Sequence, residues 1–388
     1  MPLTAMTRHP HRTVSGFTLR PGRQLVAAFA LVAVALHLTA GDARADSCRI
    51  AFDMGSSGIR AGASNSAQKV RRELDALTPL WAGKGIASVE PAVSAALREL
   101  AREGGFADDC VRVGGGFSAW RLALQQDPAA LVENLRRIRA TSGVAVLVIP
   151  PQREGAYGYA AAKQKIGARF ATTHALDIGG GSLQVAGEHH SFAAPLGQKS
   201  WHRLLCNFLR DSDEVPCALQ PMNEHDLTRA RALLAVHLAD SGLPEKTTMT
   251  AISRPVTRGV FPAVQRIVAP AANAAASLAA ADVRATIARL APLDVAATAA
   301  QTGGTERHAA FLLSDLLLVQ GLIGLTADGR LDIAETDLDN IPGLLADERA
   351  YAWARRYDCY LERLGSLGLP AFDSSADTCP AEPAAKPD

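Results

Sequence analysis

Short apolar runs along this chain are interrupted by turns rich in glycine and serine, and longer stretches between them have helical spacing. Residues 48–64 predict a β-hairpin with a glycine and serine turn, and residues 175–186 repeat that arrangement. The β-branched run at 144–149 predicts a buried strand, and residues 154–166 predict the helix after it. The repeated hairpin is the internal duplication expected of two facing lobes.

Further helices are predicted on either side of these hairpins. Residues 91–102 and 128–140 have helical spacing with a proline near the start of each, where a missing N–H has no cost. After residue 242 the chain becomes alanine-rich and helical, notably at 268–300. The apolar run at 311–325 is short and contains Asp315, so a buried helix is favoured over a membrane segment.

Each hairpin carries an aspartate directly after its first apolar strand, followed by small residues. These residues are Asp53, Gly55, Ser56, Ser57 and Gly58 in the first hairpin, and Asp177, Gly179, Gly180, Gly181 and Ser182 in the second. Backbone N–H groups that no Cβ obstructs hold phosphate well, as do short hydroxyls, and aspartates hold a hydrated Mg²⁺. One such turn is more often an ordinary hairpin turn. The matched pair predicts a phosphate clamp with Asp53 and Asp177 as its metal residues.

Three sequence blocks make this prediction more specific. They are Asp-x-Gly-Ser-Ser-Gly-x-Arg at 53–60, Glu-Gly-Ala-Tyr-Gly-Tyr at 154–159 and Ala-Leu-Asp-Ile-Gly-Gly-Gly-Ser-x-Gln at 175–184. In this order they resemble the first, third and fourth conserved regions of the ecto-apyrases, which hydrolyse nucleoside di- and triphosphates. They also resemble the exopolyphosphatase and guanosine pentaphosphate phosphatase family. A second apyrase block is only faintly suggested at 114–122, and the resemblance is weak beyond residue 200.

The resemblance implies a fold and a division of the chain. Both families share the duplicated actin-like ATPase fold, an α/β, ribonuclease H-like architecture with a cleft between two lobes. We therefore expect an N-terminal lobe at 46–165 and a C-terminal lobe at 166–371. Residues 372–388 are polar and proline-rich and predict a flexible tail.

The resemblance also implies roles for single residues. Both alignments place the catalytic glutamate at Glu154, which would take a proton from the attacking water or orient it. Gln184 matches the apyrase pattern and could hold the same water. Arg60 could contact phosphate, or it could pair with a carboxylate on its own sheet. Two positions depart from the patterns, because Arg153 stands where exopolyphosphatases carry a glutamate and Leu183 replaces a threonine whose hydroxyl is expected to face phosphate.

The N-terminus has the three-part plan of a secretory signal peptide. Arginines precede an apolar run at 25–40, and Ala43 and Ala45 suit a signal peptidase. We predict cleavage after Ala45, an exported protein that is periplasmic or secreted, and no stable membrane insertion. Because the run is only slightly shorter than the ~20 residues that span a bilayer, an uncleaved anchor is the alternative.

Composition agrees with an exported two-lobed protein. The 388 residues are 48% hydrophobic, which is enough to bury a sizeable core in about two domains. Removing residues 1–45 changes the formal charge from +1 to −3, so no general attraction to nucleic acid is expected. All six cysteines follow this segment, and an even number in an exported chain indicates disulfides. Of the possible pairings, nearest neighbours would join Cys48 to Cys110, Cys206 to Cys217 and Cys359 to Cys379.

These features predict a Mg²⁺-dependent phosphoanhydride hydrolase that releases terminal phosphate. Its partner would be inorganic polyphosphate or another phosphorylated small molecule, not nucleic acid, and the sequence is silent on oligomeric state. An aromatic content of 5% gives no identifiable base slot and favours polyphosphate, whereas export and the Glu-Gly-Ala-Tyr-Gly block favour a nucleotide. The alternative is a catalytically impaired phosphate- or nucleotide-binding protein of the same fold, which Arg153 and Leu183 permit.

Overall fold

The computed structural model of the chain describes residues 48–268, 276–335 and 338–380. The predicted signal peptide at 1–45 lies outside these residues, as do residues 381–388 of the predicted tail. Within them the chain forms two β-sheets and their surrounding helices. No helix in this described part is both long enough and apolar enough to cross a membrane.

The first sheet has five strands in the order β3-β2-β1-β4-β5. They are β1 (Arg49–Gly55), β2 (Gly58–Ala63), β3 (Lys69–Glu73), β4 (Val111–Gly116) and β5 (Ala145–Val148). Strands β1 and β2 form the first predicted hairpin, and β1, β4 and β5 run parallel. In the hairpin Asp53 lies directly opposite Arg60.

The second sheet repeats this plan with one further strand, in the order β10-β11-β9-β6-β7-β8. Its strands are β6 (His174–Ile178), β7 (Leu183–Gly187), β8 (Ser191–Ala194), β9 (Met249–Ala251), β10 (Ser277–Ala279) and β11 (Arg330–Ile333). Strands β6 and β7 form the second hairpin, where Asp177 lies opposite Gln184, and β6, β9 and β11 run parallel. The predicted duplication is confirmed, and it gives Asp53 and Asp177 equivalent positions.

Helices connect and cover the strands. They are α1 (Leu77–Trp81), α2 (Glu90–Glu103), α3 (Ser118–Gln126), α4 (Pro128–Ser142), α5 (Pro151–Ile166), α6 (Gln198–Arg210), α7 (Glu224–Leu238), α8 (Phe261–Ile267), α9 (Ala280–Leu290), α10 (Val295–Thr302), α11 (Glu306–Ile323), α12 (Ile341–Ala346), α13 (Glu348–Ala354), α14 (Tyr357–Leu367) and α15 (Pro370–Asp373). A π-helical turn at Pro255–Val260 precedes α8, and 3₁₀ turns occur at Ile86–Ser88, Gly167–Arg169 and Ala376–Thr378. Of the helical stretch predicted at 268–300, α9 and α10 are helical as predicted, β10 is a strand instead, and residues 269–275 lie outside the described part of the chain.

Helix α5 joins the two lobes. It starts directly after β5 of the first sheet, yet its length packs on β6, β7 and β8 of the second. Small residues permit the close approach, because a Cβ on Gly155 would lie 3.0 Å from Ala186 Cβ and 3.3 Å from Gln184 Cβ. Glu154 therefore stands in the first turn of α5, where the chain passes from one lobe to the other.

The chain returns to the first lobe after β11. Buried apolar side chains from Ile341 to Cys379 share one core with those of β1, β4 and β5. The expected lobe at 166–371 and tail at 372–388 differ from this arrangement, because helices α12 to α14 pack on the first sheet and Phe372 is fully buried. The apolar faces of these helices cover strands that would otherwise be open to water.

Two tyrosines of α14 cover the edge of the first sheet. The Tyr357 hydroxyl donates to Val146 O at 2.9 Å, and the Tyr360 hydroxyl oxygen accepts from Val148 N at 2.8 Å. These bonds occupy backbone groups of β5 that have no neighbouring strand, which protects an edge open to pairing with another chain.

Disulfides and the second core agree with the sequence analysis. The disulfides are the predicted nearest-neighbour pairs, Cys48–Cys110, Cys206–Cys217 and Cys359–Cys379. Helix α11 contains the apolar run at 311–325 up to Ile323, and it lies largely inside the core of the second lobe. The prediction of a buried helix is confirmed.

Candidate active site

The two glycine turns lie against each other between the lobes. A Cβ on Gly180 would collide with Ser56 Oγ and would lie 3.0 Å from Ser57 Oγ. Ser56 is buried, and its hydroxyl oxygen has no hydrogen-bond partner among the described residues. Most of the predicted site residues line the cleft at this junction, namely Asp53, Gly55, Ser56, Ser57, Gly58, Arg60, Glu154, Asp177, Gly179 and Gly180.

Three predicted residues lie behind the cleft wall. Gly181 packs against Ser118, whose Oγ would be 2.9 Å from an added Cβ. Gln184 is buried, and its Nε2 donates to Glu154 Oε2 at 3.1 Å and to Ser182 Oγ at 2.9 Å. The Ser182 hydroxyl is thus engaged by protein groups, and Gln184 reaches the reacting region through Glu154.

Glu154 is the acidic group at the centre of this arrangement. Only 6% of the residue is exposed, yet its side chain lines the cleft. Its Oε2 accepts from Gln184 and lies 2.8 Å from Arg121 Nη2, whereas no described residue donates a hydrogen bond to Oε1. Burial raises the pKa of Glu154, the charge and hydrogen bond of Arg121 oppose this, and the charge of Asp53 adds a smaller increase.

Arg121 is a site residue that the sequence analysis missed. It lies in the first turn of α3, and its Nη2 donates to Ser182 Oγ at 2.9 Å while its Nη1 donates to Ile149 O at 2.9 Å. The bond to Ser182 connects the first lobe to the second, and the bond to Ile149 lies within the first lobe. The signal that could have identified Arg121 is the faint second block at 114–122, in which this arginine follows the glycine-rich end of β4 by one helical turn.

Asp53 is held from two sides. Arg60 Nη1 and Asn340 N each lie 3.3 Å from its Oδ2. Burial raises the pKa of Asp53, and the charge of Arg60 opposes this. Of the two roles considered for Arg60, the carboxylate pair is the one present in the structure, although its guanidinium still lines the cleft.

The Asp177 carboxyl group has no hydrogen-bond or ion-pair partner among the described residues, and it is one of the two predicted metal residues. Burial, with the charges of Glu154 and Asp53, raises the pKa of Asp177 to about 7. Carboxylates crowded in this way are stabilised by a cation, and oxygen donors are the ligands that Mg²⁺ prefers. The residues therefore fit a divalent cation, with Asp53 and Asp177 to hold it.

The two departures from the family patterns both point away from the cleft. Leu183 is fully buried in the core of the second lobe, on the opposite side of β7 from Gln184. The expectation that a phosphate-facing hydroxyl is missing there is wrong for this geometry. Arg153 pairs with Asp373, from Nη2 to Oδ1 at 3.1 Å, and both are well exposed. Neither residue alters the groups that face the cleft.

A buried carboxyl supports the second glycine turn from behind. Gln198, at the start of α6, donates its backbone N–H to Gly179 O at 2.8 Å and its Nε2 to Asp315 Oδ2 at 2.5 Å. Burial raises the pKa of Asp315 to about 8, with the Gln198 hydrogen bond opposing this. Asp315 is therefore mostly protonated at neutral pH.

The Asp315→Asn variant is expected to lose a pH dependence of stability that the parent shows between about pH 4 and 8. The folded parent keeps a proton that the unfolded chain, with the ordinary pKa of 3.8, releases, so the parent loses stability as pH rises through this window. The free energy of unfolding is expected to fall by at most about 1.4 kcal/mol per pH unit. Urea unfolding of both proteins at several pH values measures it. Equal slopes would show that Asp315 is ionised in the folded protein.

Comparisons with known proteins support the fold. No family model matches this chain, and no curated protein does so either. Among solved structures, the chain is similar to the Ppx/GppA family member of Aquifex aeolicus, with a TM-score of 0.57 and 16% identity over 77% of this chain and 96% of that one. An exopolyphosphatase from Cytophaga hutchinsonii gives 0.56 and 16% over the same shares, and an exopolyphosphatase-like protein gives 0.58 and 13%. The predicted two-lobed actin-like fold is confirmed.

Proposed function

We propose that this protein is an exported, Mg²⁺-dependent phosphoanhydride hydrolase that releases terminal phosphate from inorganic polyphosphate or a nucleoside polyphosphate. The observation that carries the proposal is Glu154, buried in the wall of the cleft that the two glycine turns line, with Oε2 held by Arg121 and Gln184 and no described residue donating to Oε1. The solved structures of the same fold named as exopolyphosphatases support the choice of reaction.

Glu154 is arranged as a general base. Arg121 and Gln184 hold Oε2, so the carboxylate keeps one orientation while Oε1 can accept a proton from a water beside it. The raised pKa of this carboxyl brings it closer to the range of an effective base at neutral pH. The proton leaves the water as its oxygen attacks phosphorus, and the remaining phosphate chain leaves with the bridging oxygen.

The glycine turns are suited to the transferred phosphoryl group. Backbone N–H groups of the turn at 55–58, the N–H group of Gly180 and the unpartnered hydroxyl of Ser56 would donate to its oxygens as charge redistributes. The Gly179 N–H already donates to Ser182 O at 2.8 Å and closes the second turn. The Arg60 guanidinium, which pairs with Asp53, would also donate hydrogen bonds to the same phosphoryl group. A bound divalent cation, held by Asp53 and Asp177, would supply neutralisation of the phosphate charge.

The cleft is suited to a chain of several phosphates. Its volume is about 540 Å³, within the range of small-molecule sites. Six arginine and lysine side chains line it beside six carboxyl groups, and the basic residues are Arg60, Arg71, Arg72, Lys199, Arg254 and Arg307. Of the two phenylalanines among its lining residues, Phe117 is buried and only Phe311 is partly exposed. The cleft thus has arginine and lysine side chains to hold phosphates but only one partly exposed aromatic ring to stack on a base, which favours polyphosphate.

Export is supported by the N-terminal pattern and by the disulfides. Three disulfides persist most readily in an oxidising compartment, such as the periplasm or the extracellular space.

The test is phosphate release by the purified protein, with its disulfides formed, from long-chain polyphosphate, ATP, ADP and GTP. Each substrate is assayed with and without Mg²⁺. Metal-dependent release is the expected result, and the preferred substrate decides between polyphosphate and a nucleotide. Binding of these compounds with no release would instead support a phosphate-binding protein, a candidate that the Arg121 ion pair favours because it withdraws negative charge from Glu154.

Gly180→Ala is expected to lower kcat/KM by about 10²-fold, the scale for a displacement of about 1 Å in a reacting geometry. The added Cβ would occupy the space of the Ser56 hydroxyl and push the two turns apart. Gly259→Ala is the control, because a Cβ there meets no atom within 4 Å. Steady-state phosphate release measures both, and an equal effect in the two variants would contradict the close contact of the turns.

A further inference from the structure

A third chain segment reaches the cleft beside the two glycine turns. It is the loop at 338–340, which precedes α12 and is the point where the chain returns from the second lobe to the first. Asn340 N donates to Asp53 Oδ2, and Asp339 lies close enough to raise the pKa of Asp53 by its charge. No motif in the sequence marks this loop as part of the site.

The Asn340 side-chain oxygen has no hydrogen-bond partner although it is buried at the start of a helix. The residue is only 5% exposed and lines the cleft, and its Oδ1 is buried with no hydrogen-bond partner among the described residues. An asparagine at the start of a helix ordinarily caps it with this oxygen, but the Asn340 side chain makes no such bond. Burying an amide oxygen without a hydrogen bond lowers the stability of the folded protein. A ligand or ion that contacts this oxygen in the cleft would remove that cost.

The carboxylate of the neighbouring Asp339, unlike the Asn340 amide oxygen, already has partners in the protein. Lys69 Nζ lies 2.7 Å from its Oδ1 and 2.6 Å from its Oδ2, and Oδ1 also accepts from Ile341 N at 3.1 Å. Its oxygens are therefore occupied, whereas Asn340 Oδ1 is open. The amide oxygen lies near α5, 3.8 Å from where a Cβ on Gly158 would be, one turn beyond Glu154.

We propose that Asn340 is a positioning residue of the divalent-cation site. Its backbone N–H fixes the Asp53 carboxylate, and its Oδ1 takes up the bound cation or a water of the cation's hydration shell. Amide oxygens are hard donors of the kind that Mg²⁺ and its waters accept. This inference rests on the proposed function for the presence of a cation. It adds the loop at 338–340 to the two hairpins as a third segment of the cation site.

The test compares Mg²⁺ binding by calorimetry in the parent, Asn340→Leu and Asn340→Asp. Asn340→Leu removes the oxygen at similar volume and is expected to weaken the Mg²⁺ affinity by about 10-fold, within the range for such supporting groups. Without metal, its melting temperature is expected to equal or exceed the parent's, because a buried unpaired acceptor is removed. Asn340→Asp keeps an oxygen and is expected to retain the parent affinity or exceed it.

Asn134→Leu is the matched control. Asn134 is 2% exposed and lies on α4, where its Nδ2 donates to Ala130 O and its Oδ1 accepts from Arg137. This variant is expected to melt at a lower temperature and to keep the parent's Mg²⁺ affinity. A merely structural role for Asn340 would give the same pattern in Asn340→Leu.

The outcomes separate this inference from the proposed function. Equal Mg²⁺ affinity in the parent and Asn340→Leu would overturn the role of Asn340 even if phosphate release is metal-dependent. No Mg²⁺ binding by the parent would overturn it as well. Weakened binding in Asn340→Leu together with no phosphate release from any substrate would support the cation site and contradict the hydrolase.

Discussion

Replacing Glu154 with glutamine is expected to reduce phosphate release by about 10²–10⁴-fold, the usual contribution of a general base. Glutamine has nearly the same shape and can still accept from Arg121 through its amide oxygen, but it cannot take a proton from water. Binding of polyphosphate is expected to persist, because the glycine turns and the arginine and lysine side chains of the cleft are unchanged. Kinetics of phosphate release give kcat, and calorimetry gives the affinity.

The neighbouring residue provides the control for this variant. Arg153 precedes Glu154 in the first turn of α5 but pairs with Asp373 at the surface. Arg153→Gln is expected to keep the parent's rate. A comparable loss of rate in both variants would assign the effect to the helix, and an unchanged rate in Glu154→Gln would remove Glu154 as the base.

Replacing Arg121 with methionine is expected to have the largest effect on stability. The change leaves the buried Glu154 carboxylate without its counter-ion, and breaking such a pair from one side typically costs about 3–5 kcal/mol. It also removes donors from Ser182 Oγ and Ile149 O. Urea unfolding at neutral pH measures the loss, and phosphate release is expected to fall because Glu154 loses its fixed orientation.

A double-mutant cycle identifies the cause of this loss. In the Glu154→Gln background, Arg121→Met is expected to cost less, because a neutral glutamine needs no counter-ion. Arg169→Met is the surface control, since Arg169 pairs with Glu335 in solvent and such a pair contributes about 0–1 kcal/mol. Strict additivity in the cycle would show that Arg121 and Glu154 do not stabilise each other.

Glycine turns, hairpins and the start of α5 could be read from the sequence because each depends on neighbouring residues. Asp53 and Asp177 follow apolar strands and precede residues without bulky side chains, so the local pattern alone indicates what each turn can bind. Leu183 could also have been placed correctly. Alternation along a strand puts Leu183 and Gln184 on opposite faces, and the structure puts the first in the core and the second beside Glu154.

The sequence by itself determined the two turns and a glutamate at the start of a helix, and its prediction of nearest-neighbour disulfides is confirmed. Only the tertiary structure decided which groups surround them. Arg121 reaches Glu154 and Ser182 across the lobe junction, and Asn340 reaches Asp53 from far along the chain. These contacts arise because α5 packs on the second sheet and the C-terminal helices bury their apolar faces on the first. Burial of those faces depends on the whole fold, so no local pattern records it.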